Sequence, residues 1–178
     1  VKKCLKKGAN AAEVYLETGR NLSIEVRNGE IETIQEAAAY GAGFRVFVKG
    51  RMAFSSCNDF NEKALEDTIS RAIDFARIST ADPDNVLPDD KGVTEVAVLY
   101  DESIAKMPMD TKIELAKKVE KLATMDPRIT KSAGSGYGEG EGEIFLANSQ
   151  GLLKSAISSA CSFWVSVVAE KGEQKSSG

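Results

Sequence analysis

The densest run of side chains that could do chemistry is GSGYGEGEGE, residues 134–143. Gly134, Gly136, Gly138, Gly140 and Gly142 alternate strictly, and Glu139, Glu141 and Glu143 fill successive gaps. In an extended chain the three carboxylates fall on one face, which permits weak cation binding. A hard-cation site also needs carbonyl or amide oxygens, and none is spaced to supply them, so no metal is assigned. The pattern is not G-x-G-x-x-G, no Walker lysine follows, and the glutamates would repel phosphate. The expectation is a flexible loop leading into an edge strand. Its glycines would admit another backbone closely, and its glutamates would keep the edge soluble.

The other chemistry is bounded by what is missing. The 178 residues contain no histidine, so a Ser-His-Asp triad, a Cys-His pair and a His-ligated zinc site are impossible within them. Cys4, Cys57 and Cys161 are far apart with no C-x-x-C, which fits small packing residues in a reducing cytoplasm. Lys plus Arg is 23 against 27 for Asp plus Glu, a net charge of −4, which argues against direct nucleic-acid binding. Lys2, Lys3, Lys6 and Lys7 suit a helix C-terminus, and no interleaved aromatics suggest base stacking. Asp82 and Asp84 hint at a calcium loop, but Pro83 and Pro88 and the missing Gly and Glu positions reject an EF-hand. The longest uncharged run, Ser155–Ala169, is 15 residues, too short to cross a bilayer as a helix. No signal peptide is expected. The chain opens at Val1 inside a helical pattern, so a piece of a longer protein is expected.

The elements that must position these residues follow from periodicity. VKKCLKK predicts the last turns of a helix capped by Gly8. Val14 and Leu16, then Leu22, Ile24 and Val26, alternate with polar residues as strands do. Asn28-Gly29 predicts a tight hairpin, with a return strand from near Ile31. A further strand, Gly43–Lys49, places Phe44, Val46 and Val48 on one face and turns at Lys49-Gly50 into Arg51–Ser56. Asn61 starts a helix whose stripe is Leu65, Ile69, Ala72, Ile73 and Ala76. A second helix is predicted over Asp110–Thr124, with Asp110 as N-cap and Leu115, Val119 and Leu122 as its stripe, widened by Ile113, Ala116 and Ala123. A strand-rich stretch then runs from Ile144 to Lys171. Tyr40, Phe44, Phe47, Phe54, Phe163 and Trp164 are expected in the core, with a subunit contact as the other place for Trp164.

An offset of 122 residues brings Gly29 onto Gly151 and Lys49-Gly50 onto Lys171-Gly172, which suggests an internal structural repeat. The expected fold class is α+β, an antiparallel or mixed sheet with helices packed on one face and possibly two repeated strand-rich halves. The expected organisation is a meander plus helix over 1–78, an acidic proline-containing linker over 79–94, and a helix plus second strand-rich half over 95–178. The two halves may share one sheet.

Several stretches carry a resemblance. EVYLE, LSIEVRNGEIE and GAGFRVFVKGRMAFSS, the helix NEKALEDTISRAIDFAR, then YDESIAKM, KIELAKKVEKLA, DPRIT, EGEIFLANSQGL and SVVAEKGEQKSSG together resemble the TldD/PmbA family, and the second half is more similar to its PmbA (TldE) branch. The resemblance implies a region of a longer subunit in a cytoplasmic heterodimeric metallopeptidase, first labelled a modulator of DNA gyrase. It implies a TldD-type partner, or a homodimer, and a peptide substrate, with no membrane. A zinc-type divalent metal would sit on an H-E-x-x-x-H helix of a partner subunit or of a missing C-terminal region. No residue here matches that motif, so no catalytic or metal residue is carried over. The expected contribution is assembly and peptide binding, with Gly134, Gly136, Gly138, Gly140 and Gly142 as the peptide-binding candidates, since extended peptides add to sheets through backbone hydrogen bonds. A regulatory interaction module without peptidase role is the alternative.

Overall fold

A computed structural model describes residues 1–89, 92 and 99–178. Six strands form one antiparallel sheet: β1 (Ala11–Arg27), β2 (Glu30–Val48), β3 (Arg51–Cys57), β4 (Ile129–Asn148), β5 (Leu153–Lys171) and β6 (Gln174–Ser177). Four helices accompany them: α1 (Lys2–Lys6), α2 (Glu62–Ile78), α3 (Glu102–Lys106) and α4 (Met109–Ala123). The order across the sheet is β3-β2-β1-β4-β5-β6, so two three-stranded meanders meet at their first strands. That arrangement is the internal repeat suggested by the turn glycines. Asn28 and Gly29 (φ +54° and +78°) join β1 to β2, and Lys49 and Gly50 (φ +52° and +74°) join β2 to β3. Positive φ at both central residues suits the right-handed twist of a two-residue hairpin. Gly151 and Gly172 also have positive φ, at the corresponding turns of the second meander.

The strands are longer than periodicity predicts. The two runs around Leu16 and Leu22 are one strand of 17 residues. The return strand and the Gly43–Lys49 strand are likewise one strand of 19 residues, and its first half is exposed on both sides. The backbone ladder continues through these polar stretches without burial to mark it.

The chain divides into two compact units. One holds Val1–Gly19, the stretch from Ala39 through α2 to Asp89, and Gly142–Ile157. Its core is Cys4, Ala12, Ala42, Phe44, Val46, Ile69, Ala72, Ile73 and Ala76, with Val14, Leu16, Val48 and Leu65 packed against it. The predicted stripe of α2 is therefore the face that covers the sheet. Burying each large aliphatic side chain contributes roughly 1.5–3 kcal/mol. Asn61 caps the helix by accepting from the Ala64 N–H at 2.8 Å. Lys3 reaches Glu62 and Glu66 of α2 at 2.7 and 3.1 Å, and Lys7 donates to Ser70, so two of the amino-terminal lysines tie helices together as well as sitting at a helix end. Of the predicted linker, 79–89 lies in this unit. Asp82 N–H donates to the Gly50 carbonyl, Asn148 donates to the Pro88 carbonyl, and Leu87 is buried. Residues 90, 91, 93 and 94 of that linker lie outside the described residues.

The second unit holds Arg20–Ala38, Leu99 through Glu141, and Ser158–Gly178. Leu22, Ile24, Val26, Ala116 and Tyr137 form its core, with Ile113 against them. Of the predicted stripe of α4, Ala116 and Ile113 join the core, while Leu115, Val119 and Leu122 are not among the buried residues. Its buried residues are Lys112, Ala116 and Glu120, while Leu122 is 57% exposed. The N-cap is Pro108 without a side-chain bond, and Asp110 lies in the first turn. Within the core expectation for aromatics, Phe44 and Phe47 are buried, whereas Tyr40, Phe54, Phe163 and Trp164 are exposed. Cys4 packs in the first core and Cys57 against it; Cys161 is exposed, so it is not a packing residue.

Candidate functional site

Strand β4 carries the glycine–glutamate stretch, and it is not an edge strand. It lies between β1 and β5, so the expected flexible loop and edge are corrected. Glycine is depleted in strands, which is why the run reads as a loop; here close neighbouring atoms leave no room for a Cβ at Gly136, Gly140 and Gly142. The strand's two faces do different things.

On the face toward α4, Ser135 donates to the Ala116 carbonyl at 3.0 Å. Two residues on, Tyr137 is fully buried and donates to the Glu139 carboxylate. Glu139 pairs with Lys112 at 2.6 Å, with both side chains nine-tenths or more buried. The Lys112 ammonium also stands 5.9 Å from the centre of the Tyr137 ring. Burial, then the Glu139 carboxylate, pushes the Tyr137 hydroxyl well above its ordinary range. A charge pair this enclosed holds only because each partner is satisfied. Glu139 is therefore a structural anion, not a solubilising one. The Tyr100 hydroxyl donates to Glu141 at 3.5 Å, and desolvation first, then the Glu141 charge, holds it above its usual value.

A second carboxylate is used in the same way. Glu120 accepts from the Asn28 and Gly29 N–H groups at 3.0 and 2.8 Å, and Ser132 donates to it as well. The carboxylate thus occupies the donor pair of the β1–β2 turn and fixes α4 to it. Burial raises its pKa, but the bonds from Ser132, Gly29 and Asn28 outweigh that, and the carboxyl sits below its ordinary value. Around it opens a groove of about 760 Å³ rimmed by Lys117, Lys121 and Lys131.

The five glycines share the opposite face of β4. A Cβ at Gly136 would come within 2.3 Å of the Trp164 indole nitrogen and 2.8 Å of the Ile24 carbonyl. A Cβ at Gly134 would meet the Val26 carbonyl at 3.3 Å and the six-membered ring of the same indole at 3.5 Å. At Gly138, Gly140 and Gly142 the nearest neighbours are Ser162 Oγ at 3.4 Å, Asn21 Oδ1 at 2.7 Å and the Thr18 carbonyl at 2.9 Å. Trp164 explains Gly136, whereas Gly134 is set by its positive φ (+127°), and no spacing within β4 could have announced a residue on β5.

The donor set does not fit a divalent-metal centre. Glu139 is engaged by Lys112 and Tyr137, and among the described residues no three ligating side chains converge. Among the described residues, too, no helix is long and apolar enough to cross a membrane.

Two consecutive family models match the chain: PmbA/TldA metallopeptidase domain 1 over residues 12–76 and the PmbA/TldA metallopeptidase central domain over 102–178. The chain is 28% identical over 165 residues to the metalloprotease PmbA of Escherichia coli O157:H7, covering 92% of this chain and 37% of that protein. A PmbA homologue from Haemophilus influenzae is 29% identical over 91% of this chain and 36% of its own length. The crystal structure of a candidate modulator of DNA gyrase from Bacteroides thetaiotaomicron superposes with a TM-score of 0.88 at 33% identity, covering 99% of this chain and 41% of that one. TldE from Thermococcus kodakarensis shares the fold, with a TM-score of 0.83 at 19% identity over 98% of this chain and 39% of its own. The chain thus spans little more than a third of the length of these relatives. With both domain models matched in order along one strand framework, the chain belongs to the PmbA/TldD metallopeptidase family.

Proposed function

We propose that this chain is the amino-terminal region of a cytoplasmic PmbA-like metallopeptidase subunit, non-catalytic by itself, that contributes to dimer assembly and peptide binding. The observation that carries this reading is the consecutive match to the first and central domains of a metallopeptidase family by a chain without histidine. The metal and the proton-handling groups would come from a TldD-type subunit or from a carboxy-terminal region. A bound metal there would polarise the scissile carbonyl and activate water.

Peptide contact on the face of the five glycines would fall on the groups that cover them, the Trp164 ring first, and not on the glycines themselves. The backbone groups of β4 already pair with two neighbouring strands, so an added strand has no place along it. Gly134 and Gly136 lie under Trp164, which offers an apolar platform; Gly138, Gly140 and Gly142 continue the same face.

Co-expression with a TldD-type subunit tests the reading. Co-elution as one species, with peptide turnover raised over that subunit alone, is expected; separate elution with unchanged turnover contradicts it. The name of the Bacteroides relative favours one other reading, a regulatory module that binds gyrase. Capture of purified gyrase in the absence of a TldD-type subunit would favour that alternative.

A further inference from the structure

The outer surface of α4 has no role in the assembly just described, and its composition is unusual for a chain of net charge −4. With Lys112, Ala116 and Glu120 facing inward, Leu122 is turned out and Leu115 is half-buried. Leu115, Leu122 and Met125 line a groove of about 540 Å³ whose walls include Lys117, Lys118 and Lys121. Leu122 and Met125 are 57% and 71% exposed. Lys117 and Lys121 also line the groove over Glu120, which Lys131 closes on its far side. The two grooves are therefore one continuous surface, apolar along α4, with a rim of lysines that Glu114 interrupts.

The charges on this surface are not balanced locally. Lys117 approaches Glu114 only at 3.9 Å, and among the described residues Lys118, Lys121 and Lys131 make no ion pair. The one carboxylate at the base, Glu120, already holds two turn N–H groups and a hydroxyl. Glu114 on the groove wall and Glu170 near Lys131 offset part of this charge, and the remaining lysine excess draws an anionic partner. Apolar side chains between the lysines select a partner with both carboxylates and aliphatic groups. The grooves contain no aromatic residue and no arginine, the groups that stack on bases and grip phosphates, so nucleic acid is the poorer fit.

We propose that the outer face of α4, with Lys131, is a docking groove for an acidic, leucine-bearing peptide segment. The inference rests on α4 and its rim, and it stands whether or not the chain serves a peptidase.

Fluorescence anisotropy with a short labelled peptide of alternating glutamate and leucine tests it on the full chain. The peptide binds, and Lys117→Gln/Lys121→Gln/Lys131→Gln weakens it by about tenfold or more, as does raised salt. Leu122→Ser/Met125→Ser weakens it independently, with circular dichroism unchanged for both variants. A matching lysine–leucine peptide does not bind. Three outcomes overturn the proposal: binding that the variants leave unaltered, no binding at all, or tighter binding of a single-stranded oligonucleotide at the same lysines. Concentration-dependent dimerisation lost on Leu122→Ser/Met125→Ser would assign the groove to a second copy instead and equally overturn it.

Discussion

Lys112 shows how a residue that looks like surface can organise an interior. Its side chain is 5% exposed, its ammonium pairs with Glu139, and that carboxylate also takes the Tyr137 hydroxyl. Removing one charge leaves the other buried and unpaired, which costs about 3–5 kcal/mol, whereas replacing both with apolar groups of similar size is far milder. Lys112→Met should therefore lower unfolding stability by about that amount, and Lys112→Met/Glu139→Leu should recover most of it in urea titrations. Equal losses in the single and double variants would show that the pair is solvated. Gly136 makes the complementary point about space. A methyl there collides with the Trp164 ring and the Ile24 carbonyl, so Gly136→Ala should cost about 1–3 kcal/mol. Trp164 is the sole tryptophan, and its emission reports the displacement directly. Unchanged emission and stability would mean the indole does not lie on this glycine.

At the scale of elements, legibility followed burial chemistry. The hairpins at Asn28-Gly29 and Lys49-Gly50 were readable because positive φ demands particular residues. The stripe of α2 was readable because its buried residues are all apolar apart from Thr68. The phase of α4 was not, since two of its three buried positions are charged, and a hydrophobic pattern assigns charges to solvent. The glycine run on β4 misled for a related reason, its explanation lying on another strand. The five candidate glycines lie along one face of β4, and what lies on that face was invisible. These phases make opposite predictions. Leu122→Ser should change stability by no more than about 0.5 kcal/mol, while Ala116→Leu should cost about 1–3 kcal/mol by overpacking against Ile24 and Tyr137. The reverse order in thermal melts would restore the leucine stripe as the inner face.

For the whole molecule, several carboxyls titrate below their ordinary values on folding. Glu120 does so through its bonds to Ser132 and the β1–β2 turn, Glu36 through Arg20, Glu62 through Lys3, and Asp126 falls to about 2 beside Arg128. A carboxyl lowered in the folded state stabilises it above the unfolded pKa of about 4, and that contribution fades as pH falls through the folded value. Stability should be flat with respect to these groups near neutrality and decline from about pH 4 toward pH 2. Glu120→Gln should flatten part of that decline while lowering stability at neutral pH, measured by urea unfolding across the range. A decline that begins near pH 6 would require some other group, and the chain has no histidine to provide one.

The same absence bears on the proposed function, since the chain matches the first and central domains of a metallopeptidase family and has no histidine to ligate a metal. The measurement that bears on this most directly is oligopeptide hydrolysis by the purified chain, with and without a chelator, alone and mixed with a TldD-type subunit. No hydrolysis by the chain alone, and chelator-sensitive hydrolysis by the mixture above that of the added subunit, is the result expected. Chelator-sensitive turnover by the chain on its own would contradict it.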